Sequence, residues 1–387
     1  MRIAYVEPIA GLNVYGRELL PHLARHCEVE VVTNAKRDNL CGDLIDMFPM
    51  VSYAQASTRA GHSYDRMVFH LRNNPLHVPV YNLLLARKGV SVMHEVNLSG
   101  IIGAQTLMQG RRVEFLRHVL ANEGMSAFAR TTIDWLVRRR WPSSAQYNMN
   151  QVAVRHSQGV IVHNRYAQRQ LLASFPNLPV HLVARGVPPP QTCDLSLLRK
   201  ELGLVGREPV ITSFGFINAR KRTAQALEAF ARFIKAYPQA VYVLVGKVSR
   251  FDLEGTLNCL GLTHHVRAVG RVDDSTFAKY LAVTDIGVNL RYPTEGETSS
   301  TALRIMSYGK PVLVTNTDSL AEFPDDCVIK VNPGVTEVTE ICQGLLALAG
   351  DESLRKQIGQ AAAAHVAENH TWEQAARSYV DFLSSIQ

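Results

Sequence analysis

Short apolar runs alternate along the chain with segments whose apolar residues recur every three to four positions. The runs are continuously apolar, which is typical of parallel strands buried on both faces, and the segments between them have the period of amphipathic helices. The predicted strands are Arg2 to Val6, Glu28 to Thr33, Arg66 to Leu71, Gly89 to Met93, Gly159 to His163, Val180 to Val183, Val210 to Phe214, Val241 to Val245, Val266 to Val269, Ile286 to Leu290, Val312 to Thr315 and Val328 to Val331. This alternation predicts an α/β fold with parallel sheets.

The strand–helix alternation pauses once, at Gly186 and Pro188 to Pro190, and restarts at Val210. A glycine followed by three prolines is typical of a linker. A chain of 387 residues is long enough for two cores. We therefore expect a Rossmann-like domain over residues 1–187, a second over 188–370, and a last helix, 371–387, that packs on the first domain.

One stretch, residues 101–141, departs from the alternation. Two predicted helices, Ile101 to Leu120 and Ser126 to Trp141, carry arginines among apolar and tryptophan positions. Residues 1–185 hold 21 Lys+Arg against 12 Asp+Glu, a net of +9, and residues 186–387 hold 20 against 22, a net of −2. A basic helix with apolar and tryptophan positions suits an interfacial contact. An ordinary solvated face over a core stripe has the same pattern. The basic excess of the first half could face an anionic membrane, an anionic acceptor or nucleic acid.

Several protein classes are disfavoured by what the sequence lacks. It has no run of 18 apolar residues, and its N-terminus, MRIAYVEPIAG, is too short and acidic for a signal peptide. It has neither G-x-G-x-x-G nor a P-loop. The six cysteines are scattered, as expected of reduced thiols in a cytoplasmic protein. Since Asp-x-Asp is absent too, we expect no required metal and no cofactor.

The stretch Arg291 to Val314 is the strongest candidate for chemistry. A buried strand leads into a loop with Glu297, and a helix then begins near Thr301. The N–H groups of Thr298, Ser299 and Ser300 could hold a phosphate or sugar oxygen at the helix N-terminus. Glu297 has the wrong charge for phosphate and would accept hydrogen bonds from hydroxyls, which indicates a nucleotide sugar. The alternative is that Glu297 caps the helix.

Four further residues lie where a parallel sheet binds ligands. Lys221 and Arg222 sit between a strand and a helix, a good place to neutralise a diphosphate, although a solvated turn also fits. His94 ends a strand and could reach the ligand or be structural. Gly11 follows the first strand and would allow close backbone approach or simply form a tight turn.

Taken in order, these motifs resemble a GT-B glycosyltransferase of the large retaining glycosyltransferase family four. The resemblance covers nearly the whole chain and is strongest from Val210 to Asp326. Its parts are GLNVYGRELLPHL, NNPLH before a strand that ends in His94, Gly215 with Lys221, YVLVG, VGRV, TDIGV and RYPTEGETSSTALRIMSYGKPVLVTN. It implies two Rossmann-like domains that face each other across a cleft, with a C-terminal helix that crosses back to the first.

The resemblance also implies roles for individual residues. His94, Lys221 and Glu297 would be catalytic, with Lys221 on the diphosphate, Glu297 on sugar hydroxyls and His94 near the anomeric carbon. The residues implied to bind substrate are Gly11, Asn13, Asn74, Gly215, Phe216, Arg222, Arg271, Val272, Thr298, Ser299, Ser300 and Arg304. Two positions depart from the family pattern: Phe216 stands where an arginine is common, and Arg304 where a glutamate usually binds the ribose. An arginine there could instead meet a phosphate.

The predicted reaction is metal-independent transfer of a hexosyl unit, with retention, from a nucleoside diphosphate sugar to a hydroxyl of a glycan or lipid-linked acceptor. The alternatives are an epimerase or phosphorylase on the same fold, and a binding protein that has lost catalysis. We expect a cytoplasmic protein, with peripheral contact to the inner face of the membrane through its basic half, and no nucleic-acid partner.

Overall fold

The chain folds into two units, each built on one parallel β-sheet. The structure, a computed structural model, describes residues 1–8, 14–34, 47–58, 63–138, 140–142 and 146–386. The first unit consists of Met1–Gly186, Glu295–Thr298 and Trp372–Gln387. The second unit consists of Val187–Thr294 and Ser299–Thr371.

The first unit has a seven-stranded sheet with the strand order β3-β2-β1-β4-β5-β6-β7. Its strands are β1 Arg2–Val6, β2 Glu28–Val32, β3 Met50–Val51, β4 Arg66–Leu71, β5 Gly89–Met93, β6 Ser157–Val162 and β7 Val180–Leu182. Each neighbouring pair runs parallel. All the carboxyl ends therefore meet at one edge of the sheet.

Helices cover both faces of this sheet. They are α1 Val14–Leu23, α2 Tyr53–Thr58, α3 Val78–Ala86, α4 Ser99–Gln105, α5 Arg112–Arg138, α6 Gln151–Arg155, α7 Arg165–Ser174 and the C-terminal helix Trp372–Ser385. The one-helix prediction for Ile101 to Leu120 is wrong, because left-handed Gly110 (φ 73°) closes a short 3-10 turn between α4 and α5. Within α5, Gly124 (φ 82°) interrupts the helix. This position lies between the two predicted helices, after Leu120 and before Ser126.

Alternate residues of each strand enter different cores. Ala4 and Val6 belong to the core on one face, and Ile3 and Tyr5 to the core on the other. The second core includes residues of α1 and of the C-terminal helix. Because side chains two apart share a face, this division also fixes which face each polar residue at the strand ends occupies.

The C-terminal helix packs on the first unit, as predicted. The hydroxyl groups of Tyr15 in α1 and Tyr379 lie 2.7 Å apart in a buried hydrogen bond. Trp372 lies so close to Gly186 that a Cβ there would collide with the indole. Glycine is therefore required at position 186 for packing as well as for the linker.

The second unit has a six-stranded sheet with the order β10-β9-β8-β11-β12-β13. Its strands are β8 Val210–Phe214, β9 Val241–Val245, β10 Val266–Gly270, β11 Ile286–Asn289, β12 Val312–Thr315 and β13 Ile329–Val331. They are all parallel, and an apolar core lies on each face. This is the predicted α/β architecture a second time.

The helices of the second unit begin mostly at residues with capping side chains. They are α8 Leu195–Glu201, α9 Thr223–Phe233, α10 Leu253–Leu260, α11 Asp274–Val283, α12 Ser300–Ser307, α13 Glu337–Gly350 and α14 Glu352–Asn369. Asp194, Asp252, Asp273, Ser299 and Asp351 each accept a hydrogen bond from an N–H group of the first turn. Of the helices described in the two units, none has the length and apolar character needed to cross a membrane.

Candidate functional site

A small pocket lies at the carboxyl edge of the second sheet, where β8 ends. It has a volume of about 20 Å³, and among its lining residues are Gly215, Phe216, Lys221 and Asn289. Gly215 has a φ of 98°, a conformation that favours glycine, and the Lys221 side chain passes beside its Cα. Three residues predicted to bind the donor thus line one pocket.

Lys221 brings an ammonium group to this pocket. Asn218 caps the turn before it by accepting a hydrogen bond from the Lys221 N–H at 3.0 Å. Burial, followed by the charges of Arg291 and Arg220, holds the pKa of Lys221 well below its ordinary value. Among the residues that the structure describes, no carboxylate pairs with this ammonium group. Two further basic side chains, those of Arg291 and Arg220, therefore lie close enough to Lys221 to act on its charge.

Asn289, the last residue of β11, connects the pocket to the next helix. Its Nδ2 donates a hydrogen bond to Ser299 Oγ at 2.8 Å. Its buried Oδ1 has no hydrogen-bond partner in the described part of the chain. Since a buried unpaired oxygen is costly, Asn289 Oδ1 is suited to accept a hydrogen bond from a ligand.

The N-terminus of α12 presents unpaired backbone donors. Ser299 Oγ caps the helix by accepting from the Ala302 N–H, which corrects the alternative that Glu297 is the cap. The N–H groups of Ser300 and Thr301 find no acceptor among the described residues. They are the donors that a first helical turn offers to an anion.

Glu297 and Thr298 lie in the segment Glu295–Thr298, which belongs to the first unit. The Glu297 carboxylate is buried and accepts a hydrogen bond from the Glu295 N–H at 2.6 Å. Thr298 Oγ1 donates to the His163 carbonyl oxygen at 3.0 Å and accepts from Asn164 Nδ2 at 2.9 Å. The Thr298 side chain thus bonds within the first unit, whereas Ser299 and Ser300 belong to the second unit. The three residues were predicted to form one anion-binding turn.

Arg222 differs from its neighbour Lys221. Its left-handed backbone (φ 54°) directs the guanidinium to the fully buried carboxylate of Glu337, with Nε 2.9 Å from Oε1 and a second bond from the terminal nitrogen. Hydrogen bonding to Glu337 raises the pKa of Arg222. This bidentate pairing neutralises the charge that a diphosphate would need, so we assign Arg222 a structural role.

The remaining predicted donor residues of the second unit occupy other positions. Arg271 is exposed and follows Gly270 at the end of edge strand β10, and half-buried Val272 packs against the core. Arg304 lies in the last turn of α12 with its guanidinium carbon 5.7 Å from the Phe277 ring centroid. None of these three side chains lines the pocket that contains Lys221.

A row of polar side chains follows the strands at the carboxyl edge of the first sheet. Glu7 follows β1, Arg72 follows β4, His94 follows β5 and His163 follows β6. His70 lies in β4 beside them, and Arg185 comes three residues after β7. Glu7, His70, His94 and His163 share the face of the sheet that α1 and the C-terminal helix cover, since each lies two residues beyond a member of that core.

These residues are closely bonded to one another. His70 Nδ1 lies 3.2 Å from His94 Nε2, and the Tyr15 ring lies edge-on to His94 with the ring centroids 4.6 Å apart. Burial, with Arg72 and His163 next in effect, holds the pKa of His94 well below its ordinary value. Burial lowers the pKa of His163 to about 3. The histidines are therefore neutral near pH 7.

Two asparagines at the end of β4 have different tasks. Asn74 caps the turn Pro75–His77 by accepting from the Leu76 N–H at 3.0 Å. Asn73, which the sequence analysis does not select, accepts from the Gly100 N–H and donates to Asn97 Oδ1 at 3.2 Å. Gly11 and Asn13, also predicted to bind substrate, lie outside the described residues.

Sequence reasoning missed Glu7, His70, His163 and Asn289. Each is a polar residue within, at the end of, or directly after a buried strand, and that position is the signal that could have revealed them. His94 was selected by this criterion. Applied to every strand, the same criterion would have recovered the others as well.

Comparison with known proteins gives this geometry a context. Residues 196–365 match the family described as glycosyl transferases group 1. The GDP-mannose-dependent monoacylated alpha-(1-6)-phosphatidylinositol monomannoside mannosyltransferase of Corynebacterium glutamicum is 26% identical over 219 residues. That match spans 55% of this chain and only 56% of the relative's length.

Solved structures resemble the chain over its full length. Anabaena Alr3699/HepE in complex with UDP and glucose covers 100% of both chains at 17% identity, with a TM-score of 0.70. WaaG, a glycosyltransferase involved in lipopolysaccharide biosynthesis, covers 99% of this chain and 100% of its own at 15% identity, with a TM-score of 0.69. The chain therefore has the GT-B fold, and the match to the glycosyl transferases group 1 family lies, except for Glu295–Thr298, within its second unit.

Proposed function

We propose that the protein is a glycosyltransferase that moves a hexosyl unit from a nucleoside diphosphate sugar to a hydroxyl of a glycan or lipid-linked acceptor. The observation that carries this proposal is the Lys221 ammonium in its pocket, flanked by Arg220 and Arg291. A cation in such surroundings costs free energy until an anion joins it, and a diphosphate supplies that anion. The group 1 match and the nucleotide-dependent relatives support this interpretation.

In the proposed reaction, the bond from the anomeric carbon to the diphosphate oxygen breaks, and the acceptor oxygen bonds on the same face, with retention. The leaving diphosphate oxygen takes the acceptor proton. Lys221 and the N–H groups of Ser300 and Thr301 stabilise the charge that develops on the diphosphate. This chemistry requires no metal on the diphosphate.

The other site predictions keep their places in this proposal. In the second unit, Gly215, Phe216 and Ser299 line or support the phosphate site, and Arg271, Val272 and Arg304 contribute to nucleotide binding. In the first unit, His94, Asn74, Glu297 and Thr298 take part in holding the sugar and the acceptor. Asn289 joins the set because its Oδ1 needs a donor.

The test is thermal unfolding of the protein with UDP-, GDP- and ADP-sugars. A ligand at ~100 times its Kd that binds only the folded state should add ~2.7 kcal/mol to the free energy of unfolding. We expect one base to stabilise selectively, and the 59% exposed Phe216 ring, replaced by alanine, to weaken that effect. Absence of stabilisation by all three would refute the proposal.

Product analysis separates this activity from its rivals. A transferase releases nucleoside diphosphate only when an acceptor is present, whereas an epimerase releases none. A phosphorylase uses inorganic phosphate, rather than water or an acceptor hydroxyl, to cleave the glycosidic bond. NMR of the new glycosidic bond, with the donor's anomeric configuration as reference, reports retention or inversion.

We further propose that α5 contacts an anionic membrane surface, which would bring a lipid-linked acceptor to the enzyme. Exposed apolar side chains along α5 include Met125, Ile133, Leu136 and Val137, the last with 75% of its surface exposed. Arg112, Arg117, Arg130 and Arg138 are exposed on the same helix. Apolar insertion combined with several arginines is the pattern of an interfacial helix.

Vesicle sedimentation tests this surface. We expect binding to vesicles that contain phosphatidylglycerol, weak binding to neutral vesicles, and loss of binding when Leu136 and Val137 both become aspartate. Val335→Asp is the matched control, because Val335 is a fully exposed apolar residue of the second unit. Equal losses in the double variant and the control would contradict the proposal.

A further inference from the structure

Three buried side chains at the carboxyl edge of the first sheet, among them the His94 that the proposed function assigns to sugar binding, form a set of potential metal ligands, although the proposed reaction requires no metal. We propose that Glu7, His70 and His94 bind one divalent transition-metal ion, of the class of Zn²⁺ or Co²⁺. All three are at most 5% exposed, and one potential ligand atom from each lies within 4.8 Å of the others. The proposal does not rest on the proposed function, since glycosyl transfer as described above needs no metal.

Strand pairing explains why residues so distant in sequence meet. Val6 pairs with Phe69 and His70 pairs with Val92, so Glu7, His70 and His94 follow one another across β1, β4 and β5. All three project from the same face because each is two residues beyond a residue of one core. The backbone of three parallel strands therefore holds the ligands.

The distances fit a compact coordination sphere. His70 Nδ1 and His94 Nε2 are 3.2 Å apart. With metal–nitrogen bonds of about 2.0–2.1 Å, two ligands of a tetrahedral ion lie about 3.3 Å apart. The separation of the two histidine nitrogens is therefore close to that of two ligands of one ion, and the Glu7 carboxylate lies within 4.8 Å of both.

The chemical state of the ligands is suitable as well. A neutral imidazole offers one nitrogen lone pair to a metal ion, and His70 and His94 direct one ring nitrogen each toward the other. Tyr5 Oη donates a hydrogen bond to Glu7 Oε2 at 2.8 Å, which orients the carboxylate. Orientation of a ligand by such a neighbour is usual around metal sites. Two imidazoles and one carboxylate favour a first-row transition ion over Mg²⁺ or Ca²⁺.

Binding an ion changes the bonding of the histidine pair in a defined way. The N–H···N hydrogen bond between His70 and His94 breaks, and both nitrogens bond to the metal. The proton of that bond moves to the other ring nitrogen of the donor histidine. No redox change or further reactant is involved.

Nearby positive charge opposes the ion. Arg72 Nε lies 3.7 Å from Glu7 Oε1, and the Arg185 guanidinium carbon lies 4.8 Å from the centroid of the Tyr15 ring, which packs against His94. Both cations raise the free energy of a divalent ion at this site. We therefore expect Arg72→Gln to tighten metal binding by at least about threefold. A purely structural role of Arg72 would predict no such gain.

Cobalt titration of the full-length protein, after treatment with EDTA, tests the site. We expect one equivalent of Co²⁺ to bind, with visible absorption of four- or five-coordinate cobalt that added Zn²⁺ abolishes. Glu7→Gln, His70→Gln and His94→Gln should each weaken binding by more than about tenfold. His156→Gln is the control, since the ring of this first-unit histidine bonds to the Val152 carbonyl oxygen and is not part of the proposed ligand set.

The outcomes decide the proposal. Wild-type protein without the cobalt absorption, or an equal loss of binding in His156→Gln, overturns it. Circular dichroism of each variant identifies those that fail to fold. Because Arg72→Gln is expected to gain affinity, a folding defect cannot imitate its result, and unchanged or weaker binding in that folded variant also counts against the site.

Discussion

The carboxyl edges of the two sheets are built from the same strand geometry but carry opposite kinds of chemistry. At the first edge, aromatic rings and neutral histidines are buried and bonded to each other, as in the Tyr15–Tyr379 and His70–His94 pairs. At the second edge, glycine and exposed Phe216 surround an ammonium group that lacks a carboxylate partner in the described part of the chain. The first edge bonds many of its polar groups to one another, although His70 Nε2 and His163 Nε2 have no hydrogen-bond partner among the described residues, whereas the second edge presents an ammonium group to a ligand.

This difference shows how one architecture supports two tasks. An internally bonded edge holds its side chains in fixed positions, which suits recognition by shape. An edge with unpaired donors and positive charge gains free energy only when an anion arrives. The following experiments test whether internal bonding stabilises the first edge and whether the second edge binds an anion.

The largest effect is expected from Arg222→Ala at the second edge. This substitution leaves the buried Glu337 carboxylate without its guanidinium, which should lower the free energy of unfolding by about 3 kcal/mol. Urea denaturation measures the change, and Arg232→Ala, which breaks an exposed pair with Glu228, should cost less than about 1 kcal/mol. If Arg222→Ala proves as mild as this control, Arg222 returns to the candidate ligand-binding set.

The next effect is on turnover. Lys221→Ala removes the ammonium that we assign to the diphosphate, a charge-assisted contact of about 1.5–3 kcal/mol, so kcat/KM should fall more than about tenfold. Stability should rise or stay constant, because a half-buried ammonium without a carboxylate is lost. Exposed Lys235→Ala is the control. Turnover within about threefold of wild type would show that Lys221 does not stabilise the diphosphate. The second edge would then lack the ligand-binding cation that distinguishes it from the first.

A pH effect should follow from the same lysine. Burial, then Arg291 and Arg220, lower the pKa of Lys221 in the free protein, and a bound diphosphate would raise it again. Binding therefore takes up a proton between the two pKa values, and affinity falls as pH rises, by at most about tenfold per pH unit. Calorimetry over a series of pH values, in buffers of different ionisation enthalpy, measures this uptake. If ligand binding still takes up a proton in Lys221→Ala, a group other than Lys221 accepts that proton.

The smallest effect is expected at the first edge. Tyr379→Phe removes one hydroxyl of a buried pair and leaves the Tyr15 hydroxyl without that partner, which should cost about 1 kcal/mol of stability. Tyr237→Phe, at a half-buried tyrosine of the second unit, is the control for loss of a hydroxyl group. A cost equal to the control's would show that this edge depends less on internal bonding than the geometry indicates.

The sheets were predictable from sequence because each strand is a continuous apolar run with its own local signal. Lys221 and Gly215 were predictable for a similar reason, since they lie six positions apart in one strand–turn segment. The pairing of Arg222 was not predictable, because its left-handed backbone turns it to Glu337, 115 residues away. No local pattern indicates that partner.

The polar row of the first edge was largely hidden. Glu7, His70 and His163 come from strands far apart in sequence, and their proximity depends on the strand order and on the parity of each register. The sequence shows which alternate residues of a strand face each side of the sheet only after the neighbouring strands are known. The division of the loop at Thr298 and Ser299 likewise depends on tertiary contacts with Asn164 and His163.

The composition of the first unit from three separate stretches of chain has a consequence for biosynthesis. Translation completes Val187–Thr294 and Ser299–Thr371 before Trp372–Ser385 is made. Until then, the nascent first unit lacks the helix that covers Leu19, Leu20 and Tyr15, and this apolar face stays open to chaperones or to other nascent chains. The second unit can acquire its core on the ribosome, whereas the first reaches its final packing only when the last helix emerges.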